Sequence, residues 1–265
     1  MAAWVLFLTL LAAPPQVDAA TDPGQGPGGP ILVVTSGAST FGKYYAEILR
    51  TEGFNAFAVA DLSSVTASTL AAYDVVLLAN TSLTTDQVNM LTTWVSGGGN
   101  LIAMAPDAKL AGLLGVISRG TSLSDGYLLV DTTGSPGKGI VAQTMQFHGS
   151  AARYMLNGAT KLATLYSTAT TSVGDPAVTM RSYGSGRAAA FVYDLAASVV
   201  YTRQGNPKWA AQERDGIAPI RSDDKFYGNA SADPQPNWVD LSKIAIPQAD
   251  EQQRLLANLI LDMNA

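Results

Sequence analysis

The stretch that most constrains the fold is residues 97–115, GGGNLIAMAPDAKLAGLLG. Leu101, Ile102, Ala103 and Met104 form an unbroken apolar run, which predicts a parallel strand covered on both faces. Pro106 has no amide hydrogen to give a ladder and ends that strand, while Asp107 offers a side-chain acceptor to the first amides of a following helix. Leu110, Leu113 and Leu114 give the helix one apolar side, and Gly115 stops it. In α/β proteins, ligands and catalytic groups gather at the carboxyl ends of such strands, so this turn is where a nucleophile is expected. It holds neither Cys nor Ser.

The preceding chain repeats one pattern. A buried strand is predicted at 31–35 and a helix at 41–51, with Tyr44, Ile48 and Leu49 inward and Gly53 closing it. Strands follow at 54–59 and 73–79, separated by a short helical piece near 67–72. Thr84 and Gln87 have capping-box spacing, and Val88, Leu91, Thr92 and Val95 recur at helical spacing behind them. Strand alternating with helix demands a parallel sheet with crossover connections, so the fold class is α/β.

Beyond Gly115 the pattern changes. Residues 126–131, 140–147 and 161–166 read as extended segments. In 176–194, AVTMRSY and RAAAFVYD flank Gly184-Ser185-Gly186, which predicts an antiparallel hairpin. A helix is expected from Leu195 to Thr202 and a closing one over 250–263, with Leu255, Leu256, Leu259 and Ile260 inward. Between them, 203–248 is a long irregular insertion rich in Pro, Asp, Asn and Trp, the kind of loop that carries function or docks on a partner.

At the other end, AAWVLFLTLLAA at 2–13 is too short to span a bilayer and leads to the small-residue pattern Val17-Asp18-Ala19. We read 1–19 as a signal peptide, which implies a secreted or periplasmic protein with no membrane span after cleavage. Residues 20–30 then form a flexible linker to one domain at 31–265. A chain of 265 residues with 47% hydrophobic content can bury a full core for that domain. A net charge of -5 with 16 Lys plus Arg excludes a nucleic-acid surface, which needs a clustered basic stripe. The absence of cysteine excludes disulfides, thiolate metal sites and a thiol nucleophile together. Asp223 and Asp224 lack EF-hand spacing, so neither metal nor cofactor is expected.

Two motifs, the GGG-strand-turn-helix elbow at 97–115 and the hairpin YGSGRAAAFVYD at 183–194, together with the βαβαβ start, resemble the class I glutamine amidotransferase-like superfamily. The resemblance is to its non-amidotransferase branches, namely trehalose-utilisation-type and β-galactosidase trimerisation domains, and covers about 31–200. It implies a flavodoxin-like three-layer sandwich, and by analogy a carbohydrate setting. Amidotransferases of this superfamily carry a G-x-C-x-G elbow and a later F-H-P-E strand end. The corresponding residues here are Met104-Ala105-Pro106-Asp107-Ala108 and Phe191-Val192-Tyr193-Asp194, so thiolate and imidazole are missing together and glutamine hydrolysis by that route is not expected.

Candidate ligand groups remain. Asp107 lies at the elbow, Asp194 at the later strand end, and His148 is the one histidine of the chain. A polar cluster follows in Arg203, Gln204, Asn206, Trp209, Glu213, Arg214, Asp215, Arg221, Asp223 and Asp224. Planar hydrogen-bonding groups beside a tryptophan suit a glycan or another small polar molecule. Three readings follow from these residues. The first is an exported, non-catalytic domain that binds such a ligand or a partner module. The second is a hydrolase acting on glycan or amide bonds with acid and base drawn from Glu213 and Asp223. The third is a structural or oligomerising module in which Arg214 and Arg221 pair with Asp215, Asp223 and Asp224 to hold an interface loop.

Overall fold

A computed structural model of the chain describes residues 26, 28–204 and 246–264. In chain order its strands are β1 (Ile31–Thr35), β2 (Phe57–Asp61), β3 (Val75–Leu78), β4 (Asn100–Met104), β5 (Val116–Ser124), β6 (Tyr127–Val130), β7 (Met145–Gln146), β8 (Ser150–Leu156), β9 (Thr160–Tyr166), β10 (Ser172–Tyr183) and β11 (Gly186–Phe191). The helices are α1 (Tyr44–Thr51), α2 (Ala67–Leu70), α3 (Thr85–Ser96), α4 (Ala111–Leu114), α5 (Leu195–Gln204) and α6 (Gln248–Met263).

Nine strands form one mixed sheet in the order β2-β1-β3-β4-β11-β10-β9-β6-β7. The first five run parallel, as the alternating pattern demands, and from β11 onward every neighbour is antiparallel. β11 is the pivot. Its short turn from β10 makes a hairpin, and its other edge pairs in parallel with β4, from Arg187 opposite Asn100 to Phe191 opposite Met104. Val75–Leu78 and Leu101–Met104 are buried throughout, which is why these strands read as continuous apolar runs. The helices fall into two touching groups, α1 with α5 and α6, and α2 with α3 and α4 through the 3₁₀ turn Ala108–Leu110.

Local rules explain most element ends. Thr84 and Gln87 make both bonds of the capping box that opens α3. Gly115 ends α4 at φ 66°, the left-handed conformation that glycine adopts without a Cβ clash.

Three expectations are corrected. The second strand starts at Phe57 rather than residue 54, because the left-handed turn at Gly53 leaves Phe54-Asn55-Ala56 as its approach. The first helix starts at Tyr44, after tight turns from Ser39 and Phe41, and buries Tyr45, Ala46, Ile48 and Leu49 instead of Tyr44. The extended reading of 140–147 shrinks to β7, although Ile140, Met145 and Phe147 are all buried. In addition, β5 and β8 form a separate two-stranded ribbon that no pattern announced, because β5 is exposed over most of its length.

The glycine-rich motifs have a shared physical cause. A Cβ on Gly186 would collide with the carbonyl oxygens of Gly99 and Val95, and one on Gly184 with the carbonyl of Ser96. The β10–β11 turn therefore sits directly on the end of α3, where the Ser185 amide donates to the Ser96 carbonyl at 2.9 Å. Orphan carbonyls at the helix end are satisfied in this way. No helix among the described residues is long and apolar enough to cross a membrane.

Candidate functional site

The carboxyl edge of the parallel strands is where α/β folds place their chemistry. Here it comprises Ser36 after β1, Thr81 after β3, Ala105 after β4 and Asp194 after β11. Ser36 Oγ and Thr81 Oγ1 are hydrogen-bonded at 2.9 Å, which ties two of these loops together.

The elbow itself has an unusual backbone. Ala105 has φ 40°, a conformation that non-glycine residues seldom adopt and that is retained only where the surroundings enforce it. Its amide donates to the carbonyls of Phe191 at 2.9 Å and Tyr193 at 3.2 Å, which locks the ends of β4 and β11 together. The sharp bend of an elbow is thus present, one residue before Pro106, and its side chain is a methyl group. A methyl group supplies neither nucleophile nor base.

Asp107 lies two residues further on and is occupied by its own neighbourhood. Oδ1 accepts from the Lys109 amide at 2.9 Å, capping the 3₁₀ turn, and Oδ2 accepts from the Leu83 amide at 2.9 Å and from Lys109 Nζ at 3.2 Å. Burial raises the carboxyl pKa, but the two amides and the ammonium together outweigh it and hold it below the ordinary aspartate value.

Asp194 is equally engaged. Oδ1 accepts from Tyr45 Oη at 2.7 Å and from the Ala197 amide at 3.3 Å, while the Asp194 carbonyl accepts the Ser198 amide at 3.0 Å. It is therefore the N-cap of α5. Tyr45 Oη accepts in turn from the Ala196 amide at 3.2 Å. Burial pushes the Asp194 carboxyl above its usual range despite these bonds, and burial with the adjacent carboxylate drives the Tyr45 phenol well up. Both groups are engaged with each other and with the start of α5.

The other candidates are dispersed. His148 is buried, its amide donates to Ser198 Oγ at 3.0 Å, and its Nδ1 lies 3.9 Å from Asp125 Oδ1. Burial holds its imidazole below the ordinary pKa against the pull of Asp125. Arg203 pairs with Asp250 at 2.7 Å on the surface and thereby links α5 to α6. Gln204 ends α5. Asn206, Trp209, Glu213, Arg214, Asp215, Arg221, Asp223 and Asp224 lie outside the described residues. Among the described residues, no three of Asp, Glu and His converge as a metal-ligand set.

Sequence reasoning missed the polar anchors of this edge. Tyr45 was missed because the expected helix, begun three residues early at Phe41, turned its neighbour Tyr44 inward instead. The first turns of α6 were read only through their leucines, yet Glu251, Gln252 and Gln253 are buried. Glu251 accepts from the Val141 amide at 2.8 Å, and Gln252 accepts from Tyr193 Oη at 2.8 Å while donating to the Gln146 carbonyl at 2.9 Å. Gln248 accepts from the Gln146 amide. The run QADEQQ carried the signal, since a polar stripe at helical spacing needs partners when its helix is packed on both sides.

No protein-family model matches the sequence, and no curated protein does. Solved structures do share the fold. A β-galactosidase from Rahnella sp. R3 superposes with a TM-score of 0.52 at 16% identity, over 62% of this chain and 28% of that one. A β-galactosidase from Bacillus circulans sp. alkalophilus has a TM-score of 0.50 at 12% identity, over 63% and 28%. The α-L-fucosidase isoenzyme 2 from Paenibacillus thiaminolyticus also reaches 0.50, at 14% identity, over 63% and 29%. The chain thus spans less than a third of the length of each of these proteins, and at such identities the likeness is one of fold.

Proposed function

We infer that this chain is a non-catalytic, glycan-associated module with an amidotransferase-like, flavodoxin-like three-layer fold, exported and acting beside a carbohydrate-active partner or on a saccharide itself. The observation that carries this reading is the elbow. Its strained backbone is kept at Ala105, φ 40°, while the side chain that would act there is a methyl group. Asp107 and Asp194, the carboxylates nearest to it in the strand-end loops, are both engaged as helix caps. The carbohydrate association is supported by the fold shared with part of two β-galactosidases and an α-L-fucosidase. The motif resemblance to the β-galactosidase trimerisation domain points the same way.

The test combines turnover and binding on the chain from Ala20. Glutamine and the p-nitrophenyl glycosides of galactose, fucose and mannose are expected to release neither ammonia nor nitrophenol. At least one member of a panel of neutral oligosaccharides is expected to raise the melting temperature, since a ligand that prefers the native state must do so. Turnover of any of these substrates would overturn the non-catalytic reading, and a flat thermal panel would overturn the glycan-binding one.

A further inference from the structure

At the carboxyl edge Asp107 and Asp194 are taken up by hydrogen bonds within the fold, whereas polar side chains at the opposite edge are not. At the amino ends of β3, β4 and β11 lies a cleft of about 680 Å³, bounded by the segment before β3, the end of α3, the glycine turn and the end of α6. A volume of this size lies within the range of about 300–1,000 Å³ typical of ligand sites.

Its lining combines aromatic and planar polar groups. Tyr73 and Trp94 are half-buried, and Asp74, Asn100, Arg187 and Asn264 stand around them. The backbone positions these groups firmly. The Asn100 amide donates to the Asp74 carbonyl at 3.1 Å, and the Asp74 amide donates to the Pro30 carbonyl at 2.9 Å. The Arg187 guanidinium is pinned to the Asp262 carbonyl at the end of α6. By contrast, the Asp74 carboxylate and the Asn100 amide group make no hydrogen bond of their own among the described residues. Gly97, Gly98 and Gly99 pave the cleft without side chains, and Gly99 packs so closely on the Trp94 indole that a Cβ would overlap the ring.

We propose that this cleft is a saccharide-binding site that takes a neutral oligosaccharide, with Trp94 and Tyr73 lying against sugar C–H surfaces and Asp74, Asn100 and Arg187 bonding to ring hydroxyls. A sugar presents an apolar face and a rim of hydroxyls that each donate and accept. An acceptor-only carboxylate, a donor-only guanidinium and an amide that does both match that rim, and an indole matches the face. The Asp262 carboxylate lies 4.0 Å from the Arg187 guanidinium and Asp74 adds a second negative charge, so the cleft holds no net positive field that would select an anion. The proposal rests on the glycan-associated reading above and locates its ligand, away from the edge where α/β enzymes work.

The experiment uses galactotetraose, cellotetraose and mannotetraose in calorimetric titrations of the chain from Ala20. The variants are Asp74→Ala, Asn100→Ala and Trp94→Phe, with Asp61→Asn at the opposite edge for comparison. Because Asp74 and Asn100 contribute no side-chain bonds to the described fold, their alanine variants test binding without unfolding the protein. At least one tetrasaccharide is expected to bind. Asp74→Ala and Asn100→Ala are each expected to weaken it at least tenfold, Trp94→Phe to weaken it several-fold, and Asp61→Asn to leave it unchanged. Tetrasaccharide binding that survives both alanine variants would overturn the cleft while leaving the glycan-associated reading intact. Absence of binding by all three probes to the parent chain, together with a flat thermal panel, would overturn both.

Discussion

The two edges of the parallel sheet are held by different means, and the difference decides what each has left to offer. At the carboxyl edge, side chains add to the backbone lock at Ala105: Asp107 ties Leu83 to Lys109, and Asp194 ties Tyr45 to α5. At the amino edge, besides the Arg187 pin on Asp262, the close packing is made by glycines: Gly184 and Gly186 let the hairpin turn lie on the backbone at the end of α3, and Gly99 lies on the indole of Trp94. At the carboxyl edge Asp107 and Asp194 are thereby engaged in structure. At the amino edge the side chains of Asp74 and Asn100 stay free to meet a ligand. The usual expectation for α/β folds is thereby inverted.

The sharpest way to break this contrast is at Gly186. Gly186→Ala drives a Cβ into the carbonyls of Gly99 and Val95, and backbone cannot rotate aside as a side chain does. A loss of about 3 kcal/mol is expected, the upper end of ordinary overpacking, read from urea unfolding. A loss below about 1 kcal/mol would mean that the two glycine turns are not closely seated.

At the other edge the corresponding change is Tyr45→Phe, which removes the donor to Asp194 and the acceptor for the Ala196 amide while keeping the ring. Leaving buried polar groups unpaired costs about 1–3 kcal/mol. The same unfolding curves should show it. An unchanged midpoint would release Asp194 from its structural role and return it to the list of candidate ligand groups.

A smaller effect, about 1 kcal/mol, is expected for Asp107→Ala, as for loss of other caps. Its pH dependence sharpens the comparison. Because the folded pKa of Asp107 lies below the ordinary 3.8, its contribution is fully present above that value and is lost as pH falls through the folded pKa. The stability gap between parent and variant should accordingly be constant near neutral pH and close below pH 3.8. A gap that persisted to the lowest pH would show that the cap does not depend on the ionised carboxylate.

Much of this architecture was legible in the sequence. The apolar runs of β1, β3 and β4, the Thr84–Gln87 box, the Gly115 stop and the β10–β11 hairpin all follow from interactions within a few residues of one another. The errors came where local signals were weak. Strand β5 is solvent-facing over most of its length and shows no alternation, and the inner face of α1 depended on where tight turns yield to the helix. Less of the candidate site was legible. Of the groups named from sequence, Asp107 and Asp194 proved to be caps, while most of the polar cluster after Arg203 lies beyond the described residues.

The sequence by itself determined the parallel half of the sheet, because burial on two faces imposes a hydrophobic period that no partner is needed to reveal. It also determined that the elbow carries neither Cys nor Ser, since chemical identity is independent of folding. Only the tertiary structure decided which polar groups were already engaged. Asp107 meets Leu83 across 24 positions, and Tyr45 meets Asp194 across 149. Whether a carboxylate is a cap or a ligand depends on such distant donors, and no local pattern encodes them. The same holds for the amino-edge cleft, whose Asp74, Trp94, Asn100 and Arg187 are gathered by the pairing of β3 and β11 on either side of β4.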